Sequence, residues 1–226
     1  MKKNNVEVWS DFVCPWCWIA KRRFEKAIRE MAKEVDVVVT YKAYRLAKGA
    51  QPDAFKTALY QKFGNTQAAD GMMGTVAEFG ANEGLKYNFD TMRFGDTSDA
   101  HAVVKSITSP EGKQRMIERL YQAATTDGID IFDRKVLISL VKELNLSANE
   151  IDFDSPEIAA EIASDELQVN KLSSGVPLFI FDGKFQLSGA RDVAAFENAL
   201  RRAANDVPEP QDDIAGTSCS VDGCAI

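Results

Sequence analysis

Two pairs of closely spaced cysteines are the residues best suited to chemistry in this 226-residue chain. Cys14 and Cys17 enclose a Pro-Trp dipeptide, and Cys219 and Cys224 stand near the carboxyl terminus. A cysteine thiolate is a nucleophile and a metal ligand, so such pairs serve thiol-disulfide exchange, zinc binding or structural disulfides. No apolar, leader-like segment follows Met1, which favours a reducing, cytoplasmic setting where structural disulfides are rare.

The first pair lies where a predicted strand meets a predicted helix. Residues 6–12, Val-Glu-Val-Trp-Ser-Asp-Phe, predict a short buried strand, and apolar residues recur at helical spacing after Cys14. Pro15 suits the first position of a helix, since its missing N–H would have no partner there. Unpaired N–H groups and the helix dipole stabilise a thiolate at this end, and Cys17 lies one turn inward. This arrangement predicts Cys14 as the attacking thiol and Cys17 as the thiol that resolves a mixed disulfide.

The residues around the first pair modify this expectation. Trp16 adds no positive charge between the cysteines, and the acidic Asp11 stands nearby. We therefore expect a less stabilised Cys14 thiolate than in a strong oxidant. Pro15 and Trp16, between the two thiols, are expected to contact the substrate.

Two other uses of the cysteines remain open. Four thiolates would be a plausible set of zinc ligands. Zinc-binding pairs usually lie in tight turns, whereas Cys14 and Cys17 open an apolar helix, so we expect no bound metal. A buried structural pair is disfavoured because Cys14 lies at a junction between elements.

A proline opens another predicted strand. Residues 176–181 are apolar and rich in strand-forming side chains, and Asp182-Gly183 has the composition of a two-residue hairpin turn. Proline in a sheet is confined to a strand start, an edge or a bulge, and only X-Pro bonds are cis at appreciable frequency. A cis bond before Pro177, placed beside the cysteines, would let the Val176 backbone pair with a substrate strand. By spacing alone, an ordinary trans proline is the commoner case.

The chain divides into segments of different character. A strand, a helix and a second strand fill residues 1–48, and a helical stretch without a convincing strand fills residues 49–153. Residues 154–205 combine a helix, the hairpin and a last amphipathic helix. Residues 206–226, rich in Pro, Asp and Gly, are predicted to be a flexible tail that carries the second cysteine pair. The predicted fold class is α/β, a split domain into which an all-helical domain is inserted.

Composition excludes several classes of partner. The chain is 45% hydrophobic and 27% charged, which is ordinary for a globular protein. A net charge of −7 without any basic run disfavours a nucleic-acid partner. No apolar stretch of about 20 residues predicts a membrane span. No phosphate-binding or dinucleotide-binding motif is present, so we expect no cofactor.

The residues that resemble a known family lie in three short motifs, Trp9-Ser-Asp-Phe-Val-Cys-Pro-Trp-Cys17, Gly175-Val-Pro177 and Ser188-Gly-Ala190. They resemble the DsbA-like thioredoxin superfamily, specifically its FrnE branch, over residues 5–204. This resemblance implies a thioredoxin fold with an inserted all-helical domain. It also implies that Cys14 is the nucleophile, that Cys17 resolves the mixed disulfide, and that Pro177 is a cis proline preceded by Val176.

The same resemblance implies an activity. Such proteins act as oxidoreductases or isomerases on protein or small-molecule disulfides, and a thiol partner such as thioredoxin or glutathione recycles them. A sister branch comprises glutathione-dependent isomerases of the hydroxychromene-carboxylate type, which typically carry serine at the position of Cys14. The alternatives are therefore a glutathione-linked isomerase of an aromatic compound, and a metal-binding or chaperone module with a thioredoxin fold.

One further segment is similar to the family. Residues 96–101 resemble a family stretch that usually begins Asn-Thr and also carries a histidine. Asp96 replaces that asparagine here, which puts a ligand role for the segment in doubt. His101 is the only histidine of the chain and a candidate residue of the active groove.

The second cysteine pair lies outside the resemblance. Asp222-Gly223 offers a turn that can bring Cys224 back towards Cys219. Residues 206–218, if extended, reach at most about 45 Å, well beyond the roughly 17 Å radius of gyration of a folded chain this long. We hypothesise that this pair passes electrons or a disulfide between the first pair and an outside partner. Incidental thiols and metal ligands are the other interpretations.

Overall fold

The described part of the chain contains eight strands and eight α-helices. The computed structural model describes residues 2–173, 175–205, 218–220 and 223–225. The strands are β1 (Lys2–Ser10), β2 (Val35–Ala43), β3 (Asp53–Ala54), β4 (Arg93–Phe94), β5 (Leu178–Phe181), β6 (Phe185–Ser188), β7 (Ser218–Ser220) and β8 (Gly223–Ala225). The helices are α1 (Pro15–Glu30), α2 (Phe55–Phe63), α3 (Thr66–Asn82), α4 (Ser98–Ser106), α5 (Pro110–Gln122), α6 (Arg134–Glu143), α7 (Pro156–Val169) and α8 (Val193–Asn205).

A four-stranded sheet in the order β2-β1-β5-β6 forms the centre of the fold. β1 and β2 run parallel, with Val6 opposite Val39, as expected of two strands joined by a helix. β5 lies antiparallel to β1 and pairs with β6 through a turn at Asp182 and Gly183. Both turn residues have a positive φ, 51° and 66°, which aspartate tolerates and glycine adopts freely. The predicted turn at Asp182 and Gly183 is confirmed, but the register pairs Phe181 with Phe185, so the loop has three residues and β6 begins one residue later than predicted.

Aromatic side chains fill the space between the sheet and two helices. Phe24 of α1, Phe179 of β5 and Phe196 of α8 have ring centroids 4.7 to 5.4 Å apart. All three side chains are buried. Tilted and edge-to-face pairs add about 0.5–1.5 kcal/mol beyond the burial of apolar area. This cluster holds α1 against the sheet and so positions the amino-terminal end of the helix.

The stretch from α2 to α6 is mainly helical, with one departure from expectation. β3 and β4 form a short antiparallel pair there, with Asp53 opposite Phe94, so the expected absence of strands is wrong. Arg93 donates to the Pro52 carbonyl at 3.1 Å and supports the pair. Strands of two residues are too short to show the alternation by which a sequence reveals a strand. The domain boundaries at residues 49 and 153 stay predictions.

Serine side chains cap two helices that begin with proline. The Ser109 hydroxyl accepts from the Gly112 N–H at 3.0 Å, and the Ser155 hydroxyl accepts from the Ile158 N–H at 3.2 Å. Ser147, with glutamate three residues later, also has the pattern of a capping box. Only a 3₁₀ turn forms there, without a side-chain cap. α7 begins at Pro156, so the segment after Ser147 is too short to form an α-helix of its own.

A buried carboxylate joins α7 to the sheet. Asp165 Oδ2 accepts from the Ala43 N–H at 3.0 Å and from Lys105 Nζ at 2.7 Å. Lys42 Nζ lies 3.2 Å from Asp165 Oδ1. Trp9 Nε1 donates to the Asp165 carbonyl at 2.8 Å. These contacts fasten α7 to β1, β2 and α4.

β7 and β8 lie near the carboxyl terminus. They pair antiparallel, and their register places Cys219 opposite Cys224, as the predicted turn requires. Cα atoms of β7 lie within 8 Å of Cα atoms of α1. The predicted flexible linker spans residues 206–218; its last residue, Ser218, lies in β7, whereas residues 206–217 and the turn residue Asp222 lie outside the described residues. In the part of the chain that the structure describes, no helix is long and apolar enough to cross a membrane.

Asp165→Ala should lower the free energy of unfolding by about 1–3 kcal/mol, because it removes the buried acceptor of the Ala43 N–H and one of the two carboxylates that pair with Lys42 and with Lys105. Urea unfolding followed by circular dichroism measures the loss. Glu161→Ala is the matched control, since it removes a partly exposed carboxylate that also pairs with Lys105 from the same helix. Glu161→Ala should lower the free energy of unfolding by less than about 1 kcal/mol. Equal losses in the two variants would contradict this role of Asp165.

Candidate active site

The amino-terminal end of α1 carries the first cysteine pair. Cys14 occupies the N-cap position with an extended backbone, φ −96° and ψ 108°, and Pro15 is the first helical residue. The Cys14 N–H donates to the Asp11 carbonyl, and the Cys17 N–H donates to the Cys14 carbonyl, both at 3.1 Å. Both cysteines are free thiols. The predicted start of the helix is confirmed, with one thiol at the cap and the other one turn inward.

Both thiols are almost inaccessible to solvent. Cys14 is 1% exposed and Cys17 is 2% exposed. Burial raises the pKa of the Cys17 thiol well above its ordinary value, and the neighbouring Cys14 sulfur raises it further. The Asp11 N–H, which faces the Cys17 sulfur, acts in the opposite direction. Cys17 is therefore a neutral thiol that must lose a proton before it can attack a disulfide.

Side chains of α2 cover Cys14. The cavity that reaches this residue has a volume of about 20 Å³, which is room for about one water molecule. Phe55, Ala58, Leu59 and Lys62 of α2 contribute to its lining. A disulfide substrate is much larger than one water molecule. These side chains must therefore move before Cys14 can react.

The two residues between the cysteines differ in their surroundings. Trp16 is fully buried, its ring lies edge-on to Phe79 at 5.7 Å, and its Nε1 has no partner among the described residues. Pro15 is also buried but lines the cavity at Cys14. The Pro15 carbonyl accepts from the Tyr87 hydroxyl at 2.9 Å. The predicted contact with substrate stays a prediction for both residues, and Pro15 is the one that borders the cavity.

Asp11 has a fully buried carboxylate directly before the motif. Oδ1 accepts from the Thr97 hydroxyl at 2.8 Å and from the Val13 N–H at 3.4 Å, and Oδ2 accepts from the Leu46 N–H at 2.7 Å. Burial raises the pKa of Asp11 to about 7, although these hydrogen bonds oppose the shift. The sequence suggested only a charge that opposes a Cys14 thiolate. The bonds to Leu46 and Thr97 come from distant segments, which no local pattern reveals.

His101 packs behind the loop that leads to Cys14. It is buried, its ring centroid lies 4.7 Å from that of Phe12, and its Nε2 lies 3.1 Å from the Tyr44 carbonyl. Burial lowers the pKa of His101 to about 4, so the imidazole is neutral near pH 7. His101 does not line the cavity at Cys14. Asp96, from the same segment, accepts from the Gly49 N–H at 2.5 Å and holds the chain after β2.

The peptide bond between Val176 and Pro177 is cis, as the resemblance implies. Both residues are buried, and the Pro177 carbonyl accepts from the Gly189 N–H at 2.8 Å. β5 begins directly after Pro177 and pairs with the end of β1, where Trp9 lies opposite Leu178. The cis bond and the cysteine loop therefore lie at the same end of neighbouring strands. A role of this bond in binding substrate stays a prediction.

No group of three or more His, Cys, Asp or Glu side chains among the described residues is arranged to hold a metal ion. The four-thiolate zinc site would need Cys219 and Cys224 as well. Their side chains lie outside the described part of the structure, so the geometry bears only on the first pair.

Comparison with known proteins identifies the family. The profile of the DSBA-like thioredoxin domain matches residues 5–201, which is most of the chain. The chain belongs to the DSBA-like thioredoxin domain family. No protein with a curated description matches it.

Solved structures share this DsbA-like fold. A probable DsbA oxidoreductase from Streptomyces coelicolor is 28% identical, covers 99% of each chain and has a TM-score of 0.80. The cytosolic disulfide reductase DsbM from Pseudomonas aeruginosa is 19% identical over 90% of this chain and 96% of that chain, with a TM-score of 0.58. A 2-hydroxychromene-2-carboxylate isomerase is 13% identical over 91% of this chain and 100% of that chain, with a TM-score of 0.65. The DsbA-like family supports an enzyme of the thiol-disulfide oxidoreductase or isomerase kind.

Two tyrosines of this DsbA-like site escape detection in the sequence. Trp18, one residue after the motif, stacks on Tyr121 at 6.1 Å and lies edge-on to Tyr87 at 5.8 Å. Burial raises the pKa of both tyrosines well above the ordinary value. Both come from the helical stretch, and no spacing in the sequence connects them with the cysteines. The uncharged rings of Tyr87 and Tyr121 line the side of the site next to Trp18.

Leu59→Ala should make Cys14 easier to alkylate, because it removes a side chain that covers the thiol. Leu59 is buried, and its truncation should weaken the local packing by about 2–5 kcal/mol. In a Cys17→Ser background, iodoacetamide should label Cys14 at least about tenfold faster under native conditions. Peptide mass mapping measures the rate and separates Cys14 from the other cysteines.

Leu200→Ala in α8 is the matched control, since this leucine is equally buried but does not line the cavity. It should lower global stability without a comparable gain in labelling. Equal acceleration in both variants would show that Cys14 reacts only from the globally unfolded protein.

Proposed function

We propose that this protein is a dithiol-disulfide oxidoreductase or isomerase whose reaction begins at Cys14. The main support is a pair of free thiols separated by one turn at the start of α1. The surroundings of the two thiols suit a nucleophile at Cys14 and a resolving thiol at Cys17. Cys14 borders the cavity at the positive end of the helix, where a thiolate is favoured. Cys17 lies deeper and is held as a neutral thiol.

The proposed reaction has two exchange steps. The Cys14 thiolate attacks one sulfur of the substrate disulfide, forms a mixed disulfide and releases the other sulfur as a thiolate. Cys17, after losing its proton, attacks the Cys14 sulfur and releases the second substrate thiolate. The substrate gains two electrons, and Cys14 and Cys17 are oxidised to a disulfide. In the isomerase mode a different thiolate of the same substrate attacks the substrate sulfur of the mixed disulfide. A new substrate disulfide forms, Cys14 leaves as a thiolate, and both cysteines end reduced.

Protein and small-molecule disulfides are the proposed substrates. A small disulfide needs a smaller displacement of α2 than a folded protein does, because the cavity at Cys14 is narrow. A thiol partner such as thioredoxin or glutathione would reduce the Cys14–Cys17 disulfide again. A cytoplasmic setting, with its reducing thiols, fits this cycle. Within the family, the motif residues favour the FrnE branch.

Replacement of each cysteine should have a different effect on turnover. Cys14→Ser removes the nucleophile and should lower the turnover of hydroxyethyl disulfide or insulin by at least about 1000-fold. Cys17→Ser should retain the attack but accumulate a mixed disulfide at Cys14, which intact-mass spectrometry detects.

The same variants separate this proposal from its alternatives. A glutathione-linked isomerase of an aromatic compound would keep its turnover in Cys17→Ser and would require glutathione. A metal-binding or chaperone module would keep its activity after Cys14 is alkylated. Either result would overturn the proposed exchange reaction.

We also propose that Cys219 and Cys224 form a second dithiol that exchanges with the first. The register of β7 and β8 places the two residues opposite each other, a suitable arrangement for a disulfide. The backbone of β7 lies close to α1, the helix that carries Cys14 and Cys17. An attached dithiol acts at a high effective concentration, so proximity alone would favour exchange within the chain.

The Cys219→Ser/Cys224→Ser double variant should recycle more slowly with an external protein reductant, by about tenfold or more. A coupled assay with thioredoxin and its reductase measures this rate. Ser218→Ala/Ser220→Ala alters the same hairpin without touching a thiol and should behave as the wild type. Wild-type turnover of the cysteine variant with every protein and small-thiol substrate would refute the shuttle.

A further inference from the structure

The hydroxyl of Tyr87 reaches the peptide that joins the two cysteines. It donates to the Pro15 carbonyl, with 2.9 Å between the two oxygens. Burial raises the pKa of Tyr87 well above the ordinary value, and the charges of Cys14 and Cys17 raise it further. The hydroxyl therefore keeps its proton and remains a donor near neutral pH. Because the charges of both sulfurs act on it, the hydroxyl also lies within electrostatic range of the reacting pair.

The Pro15 carbonyl shares a peptide group with the Trp16 N–H. Trp16 is the second residue of α1, and its N–H is one of the donors that an N-cap side chain can accept. Pro15 has no N–H, and the Cys17 N–H already donates to the Cys14 carbonyl at 3.1 Å. Among the described residues, the Trp16 N–H has no hydrogen-bond acceptor. It is therefore the donor that the first turn leaves for the Cys14 sulfur.

A hydrogen bond to the oxygen of a peptide group strengthens the N–H of the same group. Donation to the carbonyl withdraws electron density from the amide and makes its N–H more positive. The free Cys14 thiol accepts no capping hydrogen bond. An ionised sulfur is a strong acceptor, whereas a neutral sulfur is a weak one. The Tyr87 bond should thus stabilise the thiolate of the reduced pair and leave the disulfide almost unaffected.

The helical stretch holds the Tyr87 ring in a fixed place. The ring stacks on Phe89, with 5.7 Å between the centroids, and lies edge-on to Trp18 at 5.8 Å. Gly80 of α3 leaves the space that the ring occupies, because a Cβ atom there would overlap with Tyr87 Cε2. The hydroxyl is therefore preorganised, and a preorganised dipole stabilises a developing charge without a cost of reorientation.

We propose that the Tyr87 hydroxyl raises the reduction potential of the Cys14–Cys17 pair through the peptide group that joins Pro15 to Trp16. This inference rests on the proposed function and adds a positioning residue to it. When glutathione disulfide oxidises the pair, the Cys14–Cys17 bond forms and the glutathione disulfide bond breaks. Two electrons and two protons pass to glutathione, which leaves as two thiols. A more stable reduced pair makes the protein a stronger oxidant.

The test is the equilibrium of the full chain with glutathione. Tyr87→Phe keeps the ring and removes the donor. At fixed concentrations of reduced and oxidised glutathione, the pair in this variant should be more oxidised, with an equilibrium constant about fivefold larger. For a two-electron couple this corresponds to a potential about 20 mV more negative. Acid quenching, alkylation and peptide mass mapping measure the oxidised fraction of Cys14–Cys17 separately from the other cysteines.

Tyr41→Phe is the matched control, since it also removes a phenol hydroxyl beside α1. Burial raises the pKa of Tyr41, and the charge of Glu25 raises it further. Glu25 lies about three turns beyond Cys14 along the helix, so this hydroxyl is remote from the motif. The control should keep the wild-type potential. A shift in Tyr41→Phe as large as that in Tyr87→Phe would overturn the proposal.

Gly80→Ala is a second test variant that leaves the hydroxyl in the chain. Its added methyl group should displace the Tyr87 ring and lengthen the bond to the Pro15 carbonyl. The potential should therefore move in the same direction as in Tyr87→Phe. A wild-type potential in both variants would overturn the proposal.

Unfolding of the two redox forms separates this role of Tyr87 from a purely structural one. If the hydroxyl acts on the thiolate, Tyr87→Phe should destabilise the reduced form more than the oxidised form. Urea unfolding of each form measures the two losses, and their difference should match the change in the glutathione equilibrium. Equal losses in both forms would show that the hydroxyl only supports packing and would overturn the proposal.

Failure of the proposed function has a different outcome from failure of this inference. If glutathione disulfide oxidises neither Cys14 nor Cys17 in the wild type, the proposed exchange reaction itself is refuted. A Cys14–Cys17 disulfide that forms with the same potential in the wild type and in Tyr87→Phe would refute this inference alone.

Discussion

The hydrogen bonds to the buried Asp11 carboxylate are the interactions on which the site depends. A buried carboxylate must find donors, since loss of water costs several kcal/mol. Here the donors come from the chain after β2, from the start of α4 and from the loop before α1. By satisfying one carboxylate, the chain brings together the thioredoxin-fold segment, the helical stretch and the cysteine motif. The carbonyl of the same residue holds the Cys14 N–H.

Burial of the thiols links protection to reactivity. In the proposed reaction the helix N-terminus would activate the dithiol, and the cover by α2 would limit its exchange with other disulfides. Phe55, Ala58 and Leu59 of the cover have apolar side chains, which can move without breaking a side-chain hydrogen bond. By contrast, Asp165 and its lysines fasten α7 to the sheet with buried charges. Ion pairs thus hold α7 to the sheet, whereas apolar contacts hold α2 over Cys14.

Much of the fold could be predicted because its main elements carry strong local patterns. The helical period of α1, the β-branched run of β2 and the Asp182-Gly183 turn each appear where the sequence places them. The misses have a common cause. β3 and β4 exist because distant chain segments meet, and Ser147 lacks the following helix that a cap would need. Neither outcome depends on residues adjacent in sequence.

The sequence by itself determined the start of α1, because a cap position, Pro15 and an apolar period act between neighbouring residues. It also sufficed to predict Cys14 and Cys17 as the reacting pair, since that prediction follows from their spacing and their place at a helix start. Tertiary structure alone decided that both thiols are buried, that His101 packs behind Phe12, and that Asp11 meets Leu46 and Thr97. Burial and hydrogen-bond partners depend on contacts between segments far apart in the chain, and these contacts set the proton affinity of each group.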